Sequence, residues 1–171
     1  MFNQLKAYVD KREGVHYWKE ILNQAGLTVN QQYFMMVTYP DQDYYNLLEI
    51  AAEMSNQTRE VFLESFGRFL GTFIMTTYGN ALKADMQTLD LMGEADYYIH
   101  KVFDIALGEA SSTRKGPHDL TIIYTNKHRC CPLFIGVIKA VAEYYKEVVV
   151  TSQSLCVLKG HPYCEISVHK T

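Results

Sequence analysis

Three groups of residues in this sequence have the types and spacing for chemistry. All four cysteines, Cys130, Cys131, Cys156 and Cys164, fall in the last quarter of the 171-residue chain. In a reducing compartment such a cluster points to metal or redox chemistry before structural disulfides. "CVLKGHPYC" (Cys156 to Cys164) closes a turn at Gly160, while Cys131 opens an apolar helix expected to pack on the same sheet, so three thiols should converge. Converging thiolates suit reversible oxidation, and the plainer alternative is that they fill the core as small hydrophobes. The second group is a single residue. Around "EADYYIHKVF" (94–103), Met92, Ile99, Phe103 and Ala106 form an apolar helical stripe with His100 at its edge, half-buried, either a ligand or a hydrogen-bonded rim residue. The third is the polar run Tyr124-Thr125-Asn126-Lys127-His128 at the end of a strand.

The elements that must position these residues follow from hydrophobic period. The first 110 residues read as helices, beginning with Phe2, Leu5 and Val9, then Trp18, Ile21, Leu22 and Leu27. Asp41, after a proline, is a candidate N-cap for a helix burying Leu47, Leu48, Ala51 and Ala52. Thr58 caps the next, which stacks Phe62, Phe66, Leu70 and Phe73 and stops at Tyr78-Gly79-Asn80. A helix through Leu89 to Leu107 should carry His100, followed by a breaker loop, "GEASSTRKGPHD". The period then changes to two. "LTIIYT", "EVVVTSQSL" and "YCEISVHK" read as strands, and "PLFIGVIKAVAEYY" as an apolar helix with Pro132 in its first turn. The fold class is therefore α+β, one domain over 1–171 in which a helical half is followed by a strand-helix-strand-strand half.

Composition narrows the functions. A chain that is 48% hydrophobic with a net charge of -3 and scattered basic residues has no electrostatic footprint for nucleic acid. It lacks an apolar run of about eighteen residues and a leader-like start, so a soluble cytoplasmic protein with no membrane insertion is expected. The carboxylate pairs Asp41/Asp43, Glu60/Glu64 and Glu143/Glu147 sit where caps or exposed helix faces favour acids. No hydrolase, phosphate-loop or H-E-x-x-H motif is present, and no enzyme activity is expected.

The order "WKEILNQAGL", "YPDQD", "LESFGRFL", a histidine in the last long helix, and then "IIYTNKHRCC…FIGVIKAVAEYYKEVVV" resembles the haem nitric oxide/oxygen binding (H-NOX) family over nearly the whole chain. The resemblance implies a helical distal part at 1–60 and a proximal part at 61–171, with an antiparallel sheet and one packed helix, that hold haem b, with His100 as axial iron ligand and Asp96 or a backbone carbonyl on its other ring nitrogen. It also implies that Tyr124, Asn126 and His128 stand where the family places a Tyr-x-Ser-x-Arg motif for the propionates, with His128 replacing a bidentate guanidinium. Leu133 would take the place of the distal tyrosine of oxygen-binding members, with Val137 beside it, which implies nitric oxide as the ligand. The span from His100 to Tyr124 is shorter than the family's, which predicts one proximal strand fewer, and the family's haem-distorting proline has no counterpart in "GEASSTRKG". Some members hold structural zinc with cysteines at the places of Cys131, Cys156 and Cys164 and a histidine at that of Gln153. Here His161 or Cys130 is left as the fourth candidate ligand. The implied partner is a histidine kinase or cyclic-di-GMP enzyme in trans. The chain's ending also resembles the 4-vinyl reductase domain, so a haem-free sensor of redox state or of a small hydrophobic ligand stays open as the alternative.

Overall fold

Helix-period sequence gives way to strand-period sequence after the breaker stretch that ends at Asp119, but the backbone already turns to strand at Glu109. The computed structural model describes residues 1–29, 32–34, 39–98 and 108–171, which form two compact units, Met1–Phe66 and Gly67–Thr171.

In the first unit, α1 (Phe2–Glu13), α2 (Val15–Gln24) and α3 (Asp41–Met54) bury the apolar stripes that their sequences announce, and α4 (Arg59–Tyr78) begins. Leu5, Val9, Trp18, Ile21, Leu22, Leu47 and Leu48 are all buried. Pro40, not Asp41, occupies the N-cap of α3; Asp41 and Asp43 lie in the first turn, where the helix dipole favours acids. A polar knot joins α1 to α4: Tyr8 donates its hydroxyl to Ser65 at 2.8 Å, and Arg12 donates to Tyr8 at 2.7 Å. Thr58 accepts the Val61 N–H at 3.4 Å, at the start of α4. Along α4 the buried row is Phe62, Phe66, Leu70 and Ile74, and Phe73 is only partly buried. An unbroken i, i+4 step drifts about 40° per step around the helix, so the buried row winds slowly about α4.

In the second unit α4 ends at Tyr78, and α5 (Thr88–Gly93) and α6 (Ala95–Tyr97) follow. The single helix expected over Leu89 to Leu107 is thus broken at Glu94, where φ -107° and ψ 21° interrupt the helical path. Then come β1 (Glu109–Arg114), β2 (Asp119–Thr125), α7 (Cys131–Tyr144), β3 (Val149–Leu155) and β4 (Cys164–Lys170). The sheet runs β1-β2-β4-β3, antiparallel throughout. Strand β1 corrects two expectations, the breaker loop and the missing strand. "EASSTR" carries no apolar alternation because β1 is an edge strand with little to bury, held by β2 and by the Ser112 hydroxyl, which donates to the Gly93 carbonyl at 2.6 Å.

The inner face of the sheet pairs Leu120 with Val168, Ile122 with Ile166 and Tyr124 with Cys164, all buried. Helix α7 covers it and is buried on nearly every side, as its continuous apolar sequence requires. At the crossing of α4 and α7 the backbones nearly touch. A Cβ on Gly67 would lie 2.0 Å from the Leu133 carbonyl oxygen, and one on Gly71 would lie 2.7 Å from the Ala140 Cβ.

Glu147, expected on an exposed helix face, instead lies past the end of α7 with its side chain 10% exposed. It accepts the Thr88 N–H at 3.0 Å and the Lys170 ammonium at 2.5 Å, and Lys170 also donates to Gln87 at 2.7 Å. Burial alone would push its pKa up, but the hydrogen bonds from Lys170 and Thr88 outweigh burial and hold it below the ordinary glutamate value. The charged form is therefore the one that stabilises the fold. Glu147→Gln should cost about 1–2 kcal/mol at neutral pH in urea titrations. The gap should be full above the unfolded value, near pH ~4.3, and close as pH falls through the depressed folded pKa. A gap independent of pH would show that the charge of Glu147 contributes nothing.

Candidate functional site

His100 lies outside the described residues, but both chain ends that flank it are placed. Tyr98 is buried directly after α6. Asp96, the named partner for the histidine ring, is exposed on α6. On the other side Gly108, at φ +110°, presses on the end of β2, where an added Cβ would stand 2.5 Å from the Thr125 carbonyl oxygen and 3.1 Å from the Asn126 side chain. Only glycine meets both the positive φ and that contact, so residue 108 itself is held against the Asn126 turn.

That turn carries the polar run. Tyr124 is 1% exposed, its ring stacked on Phe134 of α7 at 4.6 Å and 9°. Asn126 accepts the His128 N–H through Oδ1 at 2.8 Å and its carbonyl accepts the Arg129 N–H at 3.0 Å, so the strand stops instead of continuing. Arg129, at φ 55°, is exposed, and the Nε2 atom of His128 is buried. Asn126, Tyr124 and His128 are all side-chain types that carry a hydrogen-bond donor. A carboxylate is acceptor-only, so this donor set fits a haem propionate, with neutral groups in place of a permanent cation. Leu133 and Val137 are buried where α7 crosses α4.

The thiols form the second centre. Cys131 Sγ lies 3.7 Å from Cys156 Sγ, Cys164 Sγ lies 4.0 Å from Cys156 Sγ, and all three are within 4.8 Å of one another. With metal–sulfur bonds near 2.3 Å, a tetrahedral site has sulfur–sulfur edges of about 3.8 Å, so the spacing suits an ion. Burial, then the neighbouring thiols Cys164 and Cys156, push the Cys131 pKa up; burial also raises that of Cys164, against a hydrogen bond from the Val157 N–H. His161 is exposed on the turn and does not join the group, and the Cys130 thiol donates to the His128 carbonyl at 3.4 Å. Gln153 faces inward on β3 opposite Ile166, its amide nitrogen buried with no partner.

Sequence reasoning missed the glycines of α4 and the Glu147 clasp. The i, i+4 pair Gly67/Gly71 inside a helix was a readable signal of close packing; Glu147 had none, because its partners Thr88 and Lys170 are distant in sequence.

An α+β fold with a helical unit, an antiparallel sheet and a buried helix stacked on its tyrosine defines an H-NOX architecture. The family model for haem-NO-binding proteins matches residues 1–153, and the chain belongs to that family. Among solved structures, a triple mutant of an H-NOX protein from S. oneidensis in the Fe(II) state matches with TM-score 0.86 at 16% identity, covering 99% of this chain and 94% of that one. The S. oneidensis protein in the Fe(II)NO state gives 0.84 at 17% identity, with 99% and 97% covered. A mutant H-NOX protein from K. algicida, Fe(II) and unliganded, gives 0.86 at 16%, with 99% and 94% covered. Identities this low carry the fold alone. Among the described residues no helix is long and apolar enough to cross a membrane.

Proposed function

We propose that this chain is a haem-based nitric oxide sensor that regulates a signalling partner in trans, a histidine kinase or cyclic-di-GMP enzyme, in the cytoplasm. The observation that supports the reading is the end of β2, where Gly108 packs against the Thr125–Asn126 turn and Tyr124, Asn126 and His128 are gathered, side chains of the kind that can donate to a carboxylate. In this reading His100 donates its imidazole to iron, and the three β2-end residues orient the macrocycle by its carboxylates. Haem b, when bound, supplies an axial position open to a diatomic gas. Leu133, with Val137 beside it, offers no hydrogen bond to bound dioxygen, so the pocket favours nitric oxide. Zinc at the cysteines is the weaker part of the family's pattern here, since the described histidines, cysteines and carboxylates bring three ligands together and no fourth.

The test is the absorption spectrum of anaerobically purified, reduced protein expressed with ample haem. A Soret band that shifts with nitric oxide and ignores oxygen is expected. A featureless visible spectrum despite haem supply would overturn the reading and favour a haem-free sensor.

A further inference from the structure

We propose that Cys131, Cys156 and Cys164 form a receptor for a three-coordinate trivalent metalloid, of which arsenite is the accessible form, and not a zinc site. The inference is independent of the haem reading.

Ligand count comes first. Structural zinc takes four ligands almost without exception. Here three sulfurs lie within 4.8 Å of one another, and no other described histidine, cysteine or carboxylate joins them. His161 is exposed, Cys130 is turned to the His128 carbonyl, and the residue on the adjoining strand face is an amide, Gln153, a poor zinc ligand. Water is a poor substitute as well, with Cys131 and Cys164 at 0% exposure and Cys156 at 3%. A trivalent metalloid needs no fourth ligand, because a lone pair fills that direction.

Charge comes second. Three thiolates around a divalent ion leave one net negative charge in a buried site and around a monovalent ion two; around a trivalent centre they leave none. Burying uncompensated charge is costly, so the neutral complex is the one this pocket favours. The reaction balances without a redox step. As(OH)3 and three thiols give As(SR)3 and three waters: three As–O bonds break, three As–S bonds form, and each thiol proton leaves with a hydroxyl as water. No net proton is released, so the exchange does not require the thiols to ionise in their buried site.

The experiment uses the full reduced chain, anaerobically, with sodium arsenite. Native mass spectrometry should show one arsenic added and three protons lost, and thiol counting should show three of the four cysteines protected, with Cys130 still reactive after mild denaturation. Cys130→Ser should leave arsenite affinity unchanged, while serine at 131, 156 or 164 should each lower it on the order of 100-fold, since the third thiol acts at high effective concentration. In parallel, wild type should surrender zinc to a chromogenic chelator, and Gln153→His, which adds an imidazole opposite Ile166, two residues along the strand from Cys164, should retain it. Protection of only two thiols would overturn the proposal. So would wild type holding zinc as firmly as Gln153→His. Thiol counting needs no variant, so it decides even where a serine variant fails to fold.

Discussion

His100→Gly should abolish the Soret band of the haem-loaded protein or shift it sharply, while the far-UV circular dichroism stays nearly that of wild type. The substitution takes away one side chain between Tyr98, which is buried directly after α6, and Gly108, which packs on the Thr125–Asn126 turn, and leaves both of those contacts untouched. If that side chain is the axial ligand, iron loses its strongest protein bond, and only the donors on Tyr124, Asn126 and His128 remain to hold the macrocycle. Those are neutral groups, weaker than a charged guanidinium, so loss of haem should accompany loss of the ligand. Millimolar imidazole, which supplies the missing donor without the backbone, should restore the band. An unchanged Soret band in the glycine variant would remove His100 from the iron.

The sequence made the large divisions of the fold legible because they rest on period. Apolar steps of 3.6 and 2 separate the helical part from the sheet, and Leu120, Ile122, Tyr124, Ile166 and Val168 alternate as a half-buried antiparallel sheet demands. Strand β1 was not legible because an edge strand buries almost nothing, so "EASSTR" shows no alternation and resembles a loop. Similarly, the break at Glu94 leaves no mark, since the apolar stripe runs through it. At the candidate site, three thiols were expected to converge and three do, because Cys131 heads a helix laid on the strand that Cys164 opens. Their fourth ligand was left to His161 or Cys130, neither of which the backbone brings in. That depends on the orientation of a turn, which spacing does not encode. Glu147 shows the same limit from the other side: a local reading sees an acid near a helix end, whereas its environment is made by Thr88 and Lys170.

Gly67→Ala should be the most damaging single methyl added to the described chain. Its Cβ would meet Leu133 at 2.0 Å from the carbonyl oxygen, 2.8 Å from the carbonyl carbon and 3.0 Å from Cα. These are backbone atoms in the first turn of a buried helix, and no rotamer change relieves them, so α4 and α7 must separate. Overpacking typically costs about 1–3 kcal/mol where side chains can yield, and here the cost should reach or exceed the upper end, lowering Tm by about 6–12 °C in a chain of this size. Gly71→Ala should cost less, because its closest contact at 2.7 Å is the Ala140 side chain and the Val137 backbone stands back at 3.1 Å. Gly116→Ala, with nothing within 4 Å, should leave Tm unchanged. Differential scanning calorimetry of the three variants should therefore give the order 67, 71, 116; equal melting of the first and last would mean that the two helices do not cross at Leu133. The same displacement reaches the candidate site through α7, which carries Phe134 on the Tyr124 ring and Cys131 beside Cys156. Both haem retention and thiol protection should thus weaken in Gly67→Ala before the chain unfolds, whereas a variant that damaged only one of them would place the two centres on separately supported elements.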